Sequence, residues 1–346
     1  MRNRKIIAVA CLLALGSASA LWLVRAWSRS AERQEALRLA EQRKYKEALP
    51  GLKQALDRDP GDVETLETLT ECLIKTGALR TEVLPYLARL CELKKDDPVP
   101  YLLRMDALVA LGRSAEALRD AQRVLELTPH DKKALWMAAN LLHEAGRYEE
   151  AARACRELLD SAGSPRPDVL TLLAQSRIGQ GDFEAAARTL DEVVRGQPDF
   201  EPALLAQAVL RFKQGKLDDA IAALSGLARR SNPETRQAAL YYLAMSLNQA
   251  GRTKEAQVAF ERLASDQRAT RFRTDASQLP DDRDLQVRAA RALLDADYEA
   301  DAVKVLEDAT ARLGPWPAAL TLLAECFDRQ GKKDRADEVR RRLSGS

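Results

Sequence analysis

Residues 170–204 read LTLLAQSRIGQGDFEAAARTLDEVVRGQPDFEPAL and hold one full period of this chain. Leu170 opens the period, Gly181 follows eleven residues later, Ala186 comes five after that, and Pro198 closes it. The same marks recur from Tyr101 to Leu263. Gly112, Gly146, Gly181, Gly215 and Gly251 stand 34, 35, 34 and 36 residues apart. Five residues after each comes Ala117, Ala151, Ala186, Ala220 or Ala256, and eleven before each comes Tyr101, Leu135, Leu170, Leu204 or Leu240. A period this regular marks one supersecondary unit copied in tandem. Each copy predicts an apolar helix, a glycine turn, and a second helix with alanine where the two cross.

The unit resembles the tetratricopeptide repeat (TPR), and the resemblance covers most of the chain. It implies an all-α fold, a right-handed α-α superhelical solenoid of about nine helix-turn-helix repeats making roughly one full turn, with first helices lining a concave wall. A single hairpin cannot bury its apolar stripe, so stacking builds the core.

Taken in order, the first unit, near Arg29 to Asp62, carries Tyr45, Ala48, Leu52, Ala55 and Pro60, with Arg43 where its turn glycine belongs. The second, Val63 to Asp97, has Gly77 and places Pro85 in the first turn of its second helix. Units three to six run from Pro98 to Pro233, with Tyr148 and Phe183 as turn aromatics, and the seventh keeps Leu240, Gly251, Ala256 and Phe260. The rhythm then breaks, because Gly331 follows Gly251 by 80 residues. The surplus lies in the polar stretch Ser265 to Arg283, read as an irregular insertion: either a recognition loop or a tolerated surface excursion. Residues 284–346 form repeats eight and nine, and the charged helix Lys333 to Leu343 reads as a solvent-facing cap.

Residues 1–28 predict an N-terminal transmembrane helix. Ile6 to Val24 is nineteen residues without a charge, after Arg2, Arg4 and Lys5 and ahead of Trp27. As a helix it spans about 28 Å, enough to cross the hydrocarbon core. Ala18-Ser19-Ala20 offers a signal-peptidase site after Ala20, although the apolar run continues past it; Cys11 lacks the upstream leucine of a lipoprotein signal. The flanking charges lean toward a retained anchor with the repeats outside the cytoplasm; a cleaved periplasmic or outer-membrane-associated subunit of an export or assembly machine and a cytoplasm-facing form stay open. The setting read from this leader is a single-pass protein of the bacterial inner membrane.

The composition bounds function. A formal charge of +2, with 54 Lys+Arg interleaved among 52 Asp+Glu, argues against a nucleic-acid footprint. The five cysteines show no metal-binding spacing, although Cys72 and Cys91 lie on neighbouring helices and could meet. His143-Glu144-Ala145-Gly146-Arg147 has arginine where a zinc-protease helix needs its second histidine. Gly179-Gln180-Gly181 lacks the third glycine of a dinucleotide loop. Asp295, Asp297, Glu299 and Asp301 alternate like a calcium loop, but Ala300 and Leu306 stand where Gly and Glu are required. No catalytic residue, metal or cofactor is expected, and the chain reads as a non-enzymatic scaffold of the cell envelope.

The TPR resemblance implies that the second, fifth, ninth and twelfth positions of first helices face the groove. These are Trp136, Asn140 and His143; Thr171 and Gln175; Leu205, Val209 and Phe212; and Tyr241, Met245 and Asn248. The mixture suits an extended peptide or a partner helix, or else some of these side chains pack between repeats as core. Trp136 stands where a carboxylate-clamp lysine would be, which counts against chaperone-tail binding. The expected partner is a protein, with a homo-oligomer left open.

Overall fold

The computed structural model describes residues 30–162, 166–229 and 232–344, which contain eighteen helices and no strand. The chain divides into two compact units, Met1–Pro165 and Arg166–Ser346. The first unit pairs α1 (30–41) with α2 (Tyr45–Arg58), α3 (Val63–Lys75) with α4 (Arg80–Leu93), α5 (Pro98–Ala110) with α6 (Ser114–Leu127), and α7 (Lys132–Glu144) with α8 (Tyr148–Ala162). The second pairs α9 (Pro167–Gln180) with α10 (Phe183–Gly196), α11 (Glu201–Lys213) with α12 (Leu217–Leu227), and α13 (Pro233–Gln249) with α14 (Thr253–Gln278). It ends with α15 (Arg283–Asp295) on α16 (Glu299–Leu313) and α17 (Pro317–Arg329) on α18 (Lys333–Ser344). The expected membrane-spanning helix lies outside the described residues. Among those residues no helix is long and apolar enough to cross a membrane.

One turn geometry closes the hairpins. Gly112 sits at φ 70°, where a side chain would crowd the following carbonyl. Its N–H donates to the Val109 carbonyl at 2.9 Å, and the Arg113 N–H reaches back to Leu108 at 2.9 Å. This pair of bonds satisfies carbonyls left open at the end of α5. The long bond recurs from Lys44 to Leu39 at 2.9 Å and from Tyr298 to Leu293 at 2.8 Å, although the left-handed residues there are Arg43 (φ 61°) and Asp297 (φ 63°). At the start of first helices, Asp62, Asp97 and Asp131 accept backbone N–H bonds from Thr65, Val99 and Ala134.

The crossing alanines are buried: Ala48, Ala117, Ala151, Ala186, Ala220 and Ala302 are all 0% exposed. A side chain larger than a methyl at these positions would push the helices apart. Cys72, Cys91, Cys155 and Cys326 are buried, with no disulfide between Cys72 and Cys91, and burial pushes the thiols of Cys91 and Cys326 up to about 12 and about 11. Pro85 lies in the second turn of α4 rather than in its first, because that helix starts at Arg80.

The region after residue 264 differs from its sequence reading. Ser265 to Gln278 is not irregular; it is the C-terminal half of the 26-residue helix α14. The stretch is polar, but it contains neither Gly nor Pro, and three Arg, two Ala and two Gln among its residues favour helix. Proline sets where such helices stop, because it disfavours helical geometry in the residue before it. The helices α2, α6 and α10 end two residues before Pro60, Pro129 and Pro198, and α14 ends two residues before Pro280.

The added half of α14 carries the eighth repeat. Ala269 and the half-buried Phe272 join the core of Leu293, Leu306, Leu320 and Phe327. Gln286 donates to the Ala276 carbonyl at 2.9 Å, and Ser265 donates to that of Asp295 at 3.2 Å. Arg236 of α13, itself buried, donates to the Ala296 carbonyl at 2.8 Å and lies over the Tyr298 ring at 4.4 Å. Its Nε stands 2.8 Å from the buried Asp266 carboxylate as an ion pair, without the alignment of a hydrogen bond. The Tyr298 hydroxyl donates to that carboxylate at 2.8 Å, and burial pushes the phenol up to about 12.

The turn geometry predicts opposite signs for two kinds of substitution. Arg43→Gly and Asp297→Gly should each raise unfolding stability by about 0.5–1 kcal/mol, and Gly112→Ala should lower it by about 1 kcal/mol. Urea unfolding midpoints followed by circular dichroism measure all three.

Candidate protein-binding surface

In the first unit, α7 presents Trp136, Asn140 and His143 at helical spacing, and all three are half-buried. The Asn140 amide donates to the Trp136 carbonyl at 2.8 Å, turning back onto its own helix. The His143 ring lies 5.4 Å from that of Tyr148, tilted by 59°. Burial holds the His143 imidazole below its ordinary pKa, against the opposing charge of Glu144. The face therefore offers an indole, an amide and a neutral imidazole at pH 7.

In the second unit, Thr171 departs from its expected place. It is 3% exposed and its hydroxyl donates to the Pro167 carbonyl at 2.7 Å, so it packs into the hairpin rather than facing solvent. Gln175, Leu205, Val209, Phe212 and Met245 are half-buried, while Tyr241 and Asn248 are exposed. Leu205 and Phe212 pack against the core of Leu224 and Leu240, so each belongs partly to the inter-repeat packing. The structure brings Phe212 and Tyr241 together through Tyr242. The Phe212 and Tyr242 rings are 6.0 Å apart, and Tyr241 meets Tyr242 edge-on at 5.3 Å. Tyr241 ends this aromatic strip with 45% of its surface exposed. Tyr242 stands one residue off the groove register, so the repeat pattern alone could not find it.

The sequence reading also missed a hollow of about 940 Å³ in the first unit, between α4 and α6. Leu84, Pro85, Ala88 and Leu108 supply its apolar lining, and Arg104 holds Asp120 with bonds of 2.6 and 2.8 Å. Arginine–carboxylate pairs of this kind satisfy each other and leave no base or nucleophile free. The acids read against a calcium loop lie around the α15–α16 turn, where Asp297 faces Arg262 and Asp301 faces Arg273, each at 3.6 Å. Among the described residues no group of three or more His, Cys, Asp or Glu could hold a metal ion.

A family model of the tetratricopeptide repeat matches residues 102–166, 171–235 and 205–272, and a second model of the same repeat matches 39–80. Together they span more than half of the chain. No curated protein matches it. Among solved structures, MamA (41 to its end) from Desulfovibrio magneticus RS-1 is 20% identical with a TM-score of 0.41, covering 47% of this chain and 89% of that one. A tetratricopeptide repeat protein from Parabacteroides merdae ATCC 43184 is 15% identical with a TM-score of 0.48, covering 87% and 99%. The APC/C hetero-tetramer Cut9–Hcn1 is 15% identical with a TM-score of 0.42, covering 82% and 52%.

The surroundings of His143 fix a pH dependence. Its pKa in the fold lies below the ordinary 6.5, so the fold favours the neutral ring. The contribution is intact above pH 6.5 and is lost as pH falls through the lower folded value. His143→Asn should flatten the decline of stability from about pH 7 to about pH 5, measured by chemical unfolding at each pH.

Proposed function

Because the chain is a tetratricopeptide repeat protein, we propose that it is a non-enzymatic scaffold that holds a protein partner on its first helices. The aromatic strip of the second unit carries this reading. Tyr241 projects from a rigid hairpin with its flank held by Tyr242, and Met245 and Asn248 follow on the same helix face. An anchored aromatic with a polar neighbour is the usual composition of an interface hot spot, since little side-chain entropy is lost on binding. An extended peptide or an amphipathic helix fits such a face.

The scaffold is tethered to the bacterial inner membrane by Ile6 to Val24, with the repeats in the periplasm; this rests on the length, apolarity and flanking charges of that stretch. The Ala18-Ser19-Ala20 triplet supports a second reading, a soluble periplasmic subunit cut after Ala20. The N-terminal sequence of the isolated protein separates the two.

A photo-crosslinking residue at Tyr241 should trap a defined partner that the same residue at Arg153, exposed on the second helix of its hairpin, does not trap. With that partner purified, Tyr241→Ala should weaken binding about tenfold or more. The melting curve should barely move, because the side chain is largely exposed. Equal trapping at both sites, or binding unaffected by Tyr241→Ala, contradicts the reading.

A further inference from the structure

The repeats supply their own measure of what each hairpin expects to be covered. Nine residues after the left-handed turn residue, the second helix carries a side chain that faces the next repeat. In six hairpins this is Leu52, Ala121, Cys155, Leu190, Leu224 or Leu306, every one 0% exposed, and in the second it is the half-buried Tyr86. Within each unit the cover comes from the next first helix. Leu190 meets Ala203, Ala206 and Leu210; Leu224 meets Ala239 and Leu240; Leu306 meets Ala319, Leu320 and Leu323.

The seventh hairpin breaks this rule. Its equivalent residue is Phe260, which is 40% exposed. The cause is the length of α14. The helix α15 lies along the C-terminal half of α14, with Gln286 bonded to the Ala276 carbonyl and Ser265 to that of Asp295, and so does not reach back to Phe260. The eighth repeat is instead seated on the half of α14 beyond Ser265. The face that it would otherwise cover is left as a hollow of about 470 Å³, lined by Asn248, Ala256, Gln257, Phe260, Glu261 and Ala264.

Among the described residues Glu261, the next residue, makes no bond to the following repeat that would occupy its carboxylate. The residue after the covered one bonds across to the following repeat at Lys53–Glu82 (3.0 Å), Gln207–Asp191 (2.9 Å) and Arg335–Glu307 (2.8 Å), whereas Arg156 of the fourth hairpin turns back to the Ala152 carbonyl at 3.2 Å. Glu261 accepts from Gln257 of its own helix at 3.0 Å. In the ninth repeat, where no later repeat follows among the described residues, the position of Phe260 is held by Arg340, exposed and paired with Asp328 and Asp337. Charge seals that face, whereas a phenylalanine stands on the open face of the seventh repeat.

We propose that this face is a docking site for one amphipathic α-helix of a partner protein, which takes the place of a missing first helix on the seventh repeat. The faces that are filled define its chemistry. The helix presents alanine-sized residues and a leucine, spaced as Ala203, Ala206 and Leu210 are, over Phe260, and a lysine or arginine beside that stripe reaches the Glu261 carboxylate. The site shares Asn248 with the Tyr241 face but not Tyr241 itself, and Tyr241→Ala leaves Phe260 and Glu261 in place.

A labelled peptide of residues 199–214, stapled on its solvent side to hold it helical, is the probe. Fluorescence anisotropy with the full chain should show saturable binding. Phe260→Glu and Phe260→Ala should each weaken it at least tenfold while the melting curve is retained, and a peptide carrying Ala203→Glu and Ala206→Glu should not bind. Absence of saturable binding, or equal binding by the Phe260 variants, overturns the proposal. Sedimentation that shows a dimer dissociated by Phe260→Glu also overturns it, because the occupant is then a second copy of this chain.

Discussion

The left-handed turn between paired helices is the constraint on which the rest of this structure depends. A residue at positive φ lets the chain reverse while its neighbour's N–H returns to the end of the first helix. Once that reversal is made, the second helix can approach only as closely as its crossing residue permits, and the buried alanines bring it close. Everything else, from the stacking of hairpins to the exposure of particular side chains, inherits the spacing set by those two positions. The turn is important enough to be kept where glycine is absent, and Arg43 and Asp297 adopt it against their own steric preference.

Much of this was legible in the amino acids because the turn and the crossing each require a particular residue type. Glycine, alanine and the closing proline repeat at fixed offsets, and those offsets count out the hairpins, including the first, where Arg43 stands in for glycine. Asp297 was harder to read, since its neighbours alternate acid and non-acid in a way that suggested ion binding before it suggested a turn. The surplus after residue 264 is hard to read for a different reason. Its polarity suggested irregular chain, but a helix exposed along much of its length is polar too, and the informative residue was Pro280, which marks the stop.

The surface residues were legible only in part. Periodicity identifies which positions of a helix share a face, but burial depends on the neighbouring hairpin. Thr171 has the right position and a hydroxyl short enough to turn back onto its own backbone, so it is lost to the surface. Tyr242 has the wrong position but a ring large enough to bridge Phe212 and Tyr241. Phe260 has the position of a stacking residue, which is fully covered in six other hairpins; the displacement of the next repeat leaves it in the open.

That displacement rests on one claim, that α14 runs unbroken through residues 265–278. Hydrogen–deuterium exchange on the intact protein, resolved to peptides, tests it directly. A continuous helix packed against α15 predicts slow exchange across 265–278, comparable to that of 253–264. Complete exchange of 265–278 within seconds, beside a protected 253–264, would mean that the helix ends early and that the open face at Phe260 has another cause.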